Sequence, residues 1–268
     1  MFTIFKTSPH YAVTINRTPT IVSTLYVGTV NIVISITTKK YVLIHLAFII
    51  NLFSTQLNKM KYYKNSKNKY VYVKQYKVGS SSIDEYTKDH RLCGFDATPE
   101  ELQTKYKDWF KFGVVRNPYD RVVSVYVDKC LQNPVNRINR GDTTLQTCQK
   151  IILKALNKPL KLEEFSKITF EQFVEVLPKI YNSDWHFYTQ TPFFVNSSNN
   201  IVVDKLAKFE NFDIEVKDIL NKLGFAVTQV PHKNKTLRAS YQEYYNEKTK
   251  RIVEEIYSDD LKNFGYEF

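Results

Sequence analysis

The sequence predicts an α/β domain built on a P-loop-like central parallel sheet flanked by helices, and three observations carry that expectation. Residues 70–73 alternate like a strand and run through Lys77-Val78-Gly79-Ser80-Ser81-Ser82 into a helix start. Residues 109–115 form a second, largely apolar strand, closed by Arg116-Asn117-Pro118 and followed by a helical apolar face. Strands alternating with helices in this way favour parallel pairing. The chain of 268 residues is 43% hydrophobic, enough for the core of one large domain with an N-terminal appendage.

Taken in order, residues 1–60 stand apart as an N-terminal extension, and residues 61–268 form the main domain. Residues 20–36 are β-branched and uncharged but too rich in Thr for a membrane span. Residues 41–53 are a shorter apolar run followed by the basic segment 59–69, a candidate signal-anchor core. In the main domain, Asn117 is a suitable N-cap, Pro118 suits the first helical position and Asp120 completes a capping-box-like start. Tyr119, Val122, Val123, Tyr126 and Cys130 then recur on one helical face. Thr169 with Gln172 is a capping box ahead of another helix. A helix over 214–223 closes on Gly224, and residues 241–264 read as one long amphipathic helical region with Ile252, Val253, Ile256 and Tyr257 on a face.

The formal charge of +11 suits a polyanionic partner: a phosphorylated nucleotide, a sulfated glycan or a nucleic acid. A Lys-, Asn- and Ile-rich composition accounts for it equally well, so charge alone does not choose. Cys93, Cys130 and Cys148 form no CxxC pair and no Cys/His metal spacing, so no metal is expected. Their odd number leaves either one bridge, such as Cys130–Cys148, or three ordinary thiols.

Two segments are suited to binding phosphate. A strand that turns through small residues into a helix aims backbone N–H groups and the positive end of the helix dipole at one point. There Gly79 permits close approach, Ser80, Ser81 and Ser82 add hydroxyls, and Lys77 adds a full charge. The spacing is not that of the classical nucleotide-binding loop with its terminal lysine. The second segment sets Arg116 at a strand end and Ser124 two helical turns on, a pair able to grip one phosphate. Arg121, beside Asp120, reads as a surface arginine.

Residues 110–126, centred on Val115-Arg116-Asn117-Pro118-Tyr119-Asp120-Arg121-Val122-Val123-Ser124, resemble the 3′-phosphate motif of sulfotransferases that use PAPS (3′-phosphoadenosine-5′-phosphosulfate). The resemblance is to the chondroitin/dermatan 4-O-sulfotransferase type and its nematode relatives. The segment from Lys77 to Ser82 is similar to that family's 5′-phosphosulfate loop. Blocks at 184–190, 208–212 and 256–266 resemble later family blocks in the same order. Tyr76 stands where the family usually has proline, the stretch between Lys77 and Trp109 is short, and the cysteine that often follows the 184–190 block is missing.

The resemblance implies a sulfotransferase fold and sulfuryl transfer from PAPS, without a metal, to a hydroxyl of a glycosaminoglycan-type glycan. It further implies a Golgi membrane enzyme with a lumenal domain and no nucleic-acid partner. Lys77, Val78, Gly79, Ser80, Ser81 and Ser82 would bind the 5′-phosphosulfate, and Arg116 with Ser124 the 3′-phosphate. His90, lying between the two motifs where relatives carry a histidine, is the expected general base. His186, between Trp185 and Phe187, reads as a packed structural residue, and His232 as part of a loop near the nucleotide. Asn16, Asn196 and Asn234 begin sequons that suit a secretory glycoprotein. A small P-loop kinase, an inactive sulfotransferase-like protein and a basic nucleic-acid-binding protein are the competing readings.

Overall fold

The computed structural model describes the strand segments 2–7, 10–15, 21–27 and 30–36 and residues 59–131, 141–165, 167–230 and 238–268. The chain forms two compact units, Met1–Asn58 and Lys59–Phe268.

In the first unit, β1 (Phe2–Thr7), β2 (His10–Ile15), β3 (Ile21–Val27) and β4 (Val30–Ile36) make a sheet of order β1-β2-β4-β3. The β-branched run at 20–36 therefore supplies two antiparallel strands, as its residue types favour. The apolar run 41–53 lies outside the described residues. Among the described residues, no helix is long and apolar enough to cross a membrane.

The second unit holds a five-stranded sheet of order β7-β5-β6-β8-β9, made of β5 (Met60–Asn65), β6 (Tyr70–Val73), β7 (Cys93–Ala97), β8 (Phe110–Val115) and β9 (Lys205–Lys208). β6, β8 and β9 are parallel, while β5 is antiparallel to both β6 and β7. The sheet is thus mixed rather than purely parallel. The reason is local: a four-residue connection joins β5 to β6, and only antiparallel neighbours can be joined that tightly.

Helices flank the sheet. α1 (Ser80–Thr87) follows β6, α2 (Pro99–Lys105) precedes β8, and α3 (Pro118–Tyr126) follows it. Then come α4 (Thr143–Ala155), α5 (Leu162–Phe165), α6 (Phe170–Ile180), α7 (Thr191–Phe194) and α8 (Phe212–Lys222). The region 241–264 is broken into a short 3-10 turn, α9 (Glu247–Ile256) and α10 (Ser258–Phe264), not one helix. Asn246 caps α9 by accepting the Thr249 N–H at 2.9 Å, which starts a new helix there.

α3 is buried on nearly every side, and Tyr119, Val122, Val123, Tyr126 and Cys130 all enter one core cluster with α4, α6 and α9. The Thr169–Gln172 capping box and the left-handed Gly224 after α8 are both present. Cys130 and Cys148 are buried thiols in that cluster, and Cys93 is an exposed one.

Candidate active site

β6 and β8 run parallel with Val73 beside Gly113, so the loop after β6 and the corner after β8 open on the same edge of the sheet. Ligands of open α/β sheets collect at this carboxyl edge. The two segments line a single cavity of about 1010 Å³.

The loop is held by its backbone. Lys77 and Gly79 are both left-handed, at φ 65° and 78°. A methyl group on Gly79 would overlap the Phe212 ring of α8, so only glycine fits. α1 begins at Ser80 with no side-chain cap, its first turn closed by the Ser82 N–H donating to the Gly79 carbonyl at 3.0 Å, and Ser80, Ser81 and Ser82 line the cavity. Val78 is buried in the core beneath the loop. Burial lowers the Lys77 ammonium below the usual lysine range, and Asp128, 3.4 Å away, partly restores it.

Arg116 is tied into the corner by its own contacts. Its Nη1 donates to the Lys77 carbonyl at 2.8 Å, and its Nε donates to Asp120 at 2.8 Å. The guanidinium lies 4.1 Å from the Phe209 ring centre. Asp120 therefore does not complete a capping box: it is drawn between Arg116 and Arg238, and Asn117 alone caps α3, accepting the Tyr119 N–H at 3.0 Å. Ser124 lines the same cavity. Arg238 Nη1 is buried there without a hydrogen-bond partner.

Arg121 is not at the surface. It is 1% exposed and donates to the carbonyls of Tyr76, Tyr188 and His186 at 3.2, 2.7 and 3.3 Å. It fastens the loop after β6 to the segment 186–188, using a charge-assisted donor for each buried carbonyl.

The later blocks brace this corner. The Gln190 amide accepts from Arg116 N and donates to Arg116 O, at 3.0 and 2.9 Å. Asp260, fully buried, accepts the N–H groups of Gln190 and Thr191. Glu210 accepts from Asn117 N at 2.8 Å and from the Tyr266 hydroxyl at 2.9 Å. Blocks far apart in sequence converge on one strand end.

His186 lines the cavity. Its Nδ1 lies 2.6 Å from Asp184 Oδ1, and its ring is tilted against Tyr76 with centroids 4.5 Å apart. Burial pushes the imidazole below its ordinary pKa, against the pull of Asp184. Burial also works to raise Asp184, but hydrogen bonds from His186 outweigh it and hold the carboxyl below its ordinary value. The pair is then a neutral imidazole donating Nδ1–H to a carboxylate, which leaves Nε2 as the acceptor.

His90, the expected general base, lies away from the cavity. It follows the C-terminal end of α1, roughly 12 Å along the helix from the loop. Its ring stacks on Phe225 at 4.5 Å, its Nδ1 lies 2.9 Å from the Tyr70 hydroxyl, and it is not among the cavity residues. The fold thus brings together Lys77, Gly79, Ser80, Ser81, Ser82, Arg116 and Ser124, and leaves His90 outside. His232 and the sequon at Asn234 lie outside the described residues. The Asn196 amide is engaged, donating to Gln103 at 2.9 Å.

Among the cavity residues that sequence reasoning did not assign to the site are His186 and Tyr241. His186 was masked by its aromatic neighbours, and its ring is in fact buried while still lining the cavity. Tyr241 carries no local motif, whereas Arg238 ends the loop that the sequence placed near the nucleotide, and both line the cavity.

A family model described as the Sulfotransferase family matches residues 35–267. No curated protein and no solved structure matches the chain.

Proposed function

This chain belongs to the sulfotransferase family, and from that premise we propose that it moves a sulfuryl group from PAPS to a hydroxyl of a carbohydrate acceptor. The observation that carries the reading is one cavity lined by the Lys77–Ser82 loop, by Arg116, Ser124 and Arg238, and by His186. The buried, unpartnered Nη1 of Arg238 is a donor awaiting an anion, and it fits a nucleotide phosphate.

Bound PAPS would supply the activated sulfuryl group. The protein's part in such an in-line displacement is to position groups and neutralise charge. The loop amides and Lys77 would hold the phosphosulfate, with Lys77 opposing charge as it builds on the leaving oxygen. To reach it, Lys77 exchanges Asp128 for the anion. Arg238, Ser124 and the remaining N–H groups of Arg116 would hold the 3′-phosphate. His186 Nε2 would take the acceptor hydroxyl's proton, with Asp184 fixing the tautomer. We extend the reading to a glycosaminoglycan-type acceptor and to a lumenal Golgi setting on the motif resemblance alone.

Calorimetry with PAP, the desulfated product, tests the phosphate end. Arg238→Ala should weaken PAP by about 1.5–3 kcal/mol, the worth of a hydrogen bond from a charged group. Unchanged PAP affinity in this variant would place the 3′-phosphate elsewhere.

A further inference from the structure

The sequence has no metal-ligand spacing, yet the fold assembles a set of metal donors. Cys148 on α4 and Asp184 with His186 on the segment after α6 each offer a ligand atom, and these atoms lie within 4.8 Å of one another. We propose that this trio is an inhibitory site for a zinc-class divalent cation, seated on the residue assigned above as the general base. The inference rests on that assignment for its effect on turnover, but not for binding.

Thiolate, imidazole and carboxylate are all donors that zinc accepts, and three protein ligands with one open position form a familiar arrangement. Ligand atoms around a tetrahedral zinc sit roughly 3.3–3.8 Å apart, given bond lengths of about 2.0–2.3 Å. His186 Nδ1 and Asp184 Oδ1, now 2.6 Å apart, would therefore open by roughly 0.7 Å, and the widest separations, up to 4.8 Å, would close by about 1 Å. Charge favours it: a thiolate and a carboxylate neutralise the ion in a place where Cys148 and His186 are buried, and buried net charge is costly. Lys129 is the nearby opposing cation, and Asp128, 3.2 Å from its Nζ, offsets it. The open fourth position would take water from the cavity that His186 lines.

Binding converts the Cys148 thiol to a zinc thiolate and releases one proton to solvent. The zinc takes His186 Nδ1, the nitrogen now 2.6 Å from Asp184. A neutral imidazole has one N–H, so metallation of Nδ1 puts that proton on Nε2. Nε2 then donates instead of accepting and no longer serves as a base. No bond in the acceptor or donor is altered.

The test combines binding with turnover, using the full chain. Cobalt(II) titrated into the parent should give a thiolate-to-cobalt charge-transfer band that zinc abolishes and that Cys148→Ala lacks. Zinc should inhibit sulfuryl transfer by the parent reversibly, with recovery on adding EDTA. Cys148→Ala, which keeps a small apolar group in the core, should transfer normally and resist zinc by roughly tenfold or more, the lower bound even for an outer-shell partner. Should Cys148→Ala fold poorly, Cys148→Ser is read in its place. A parent without the cobalt band, or a Cys148 variant with the parent's zinc sensitivity, overturns the site. A normal cobalt band with no transfer under any condition leaves the metal site standing and removes the sulfotransferase reading instead.

Discussion

Lys77 occupies a strained place for a reason. A non-glycine residue at φ 65° costs free energy, and here it puts a partly desolvated ammonium at the mouth of α1. Lys77→Ala should lower sulfuryl transfer by about 100-fold or more, as loss of a preorganised charge does. Steady-state rates on the purified variant decide it, and near-parental turnover would remove Lys77 from the chemistry. The histidines provide the second residue-scale test. His186→Ala should lose about 100-fold in rate while keeping PAP affinity, and His90→Ala should change the rate little, since its ring packs on Phe225 outside the cavity. The reverse pattern would restore the base to His90. Lys77, Gly79, Arg116 and Ser124 were legible in the sequence because turn and cap chemistry is local. His186 and Arg121 were not: whether a polar residue flanked by apolar ones faces core or cavity depends on what packs across from it, which no local pattern records.

At the scale of elements, the same distinction holds. β6, β8 and the start of α3 were readable because alternation, Asn117 and Pro118 act within a few residues. The long helical reading of 241–264 failed where tertiary demands intervened: the break before α10 lets Asp260 reach the N–H groups of Gln190 and Thr191. The antiparallel β7 was hidden too, because Cys93–Ala97 pairs with β5 across a long sequence gap and its residues are poor strand formers. The loop before α1 gives the element-scale prediction. Gly79→Ala adds a methyl at positive φ and against the Phe212 ring, so the loop must shift or α8 must move. PAP affinity should fall by roughly tenfold or more, or the melting temperature should fall with it, as a backbone-strain substitution of about 1–3 kcal/mol implies. Parental affinity and stability together would show that the loop conformation is not what holds the anion.

For the whole molecule, the family match over residues 35–267 reaches from the first unit to nearly the last residue, while every described cavity residue lies in Lys59–Phe268. The blocks that resemble the family downstream of Ser124 turn out to be braces: Gln190 and Glu210 hold the Arg116–Asn117 corner, and Asp260 holds Gln190. Their individually weak resemblance gains meaning because all three act on one strand end. We assign sulfuryl transfer to this corner, the loop at Lys77 and His186 acting together. The most direct measurement offers labelled PAPS and a panel of desulfated glycosaminoglycans to the parent and to Lys77→Ala. Label should appear on an acceptor hydroxyl with the parent and almost none with Lys77→Ala. Equal transfer by both proteins, or PAP binding by the parent with no transfer to any acceptor of the panel, would contradict it.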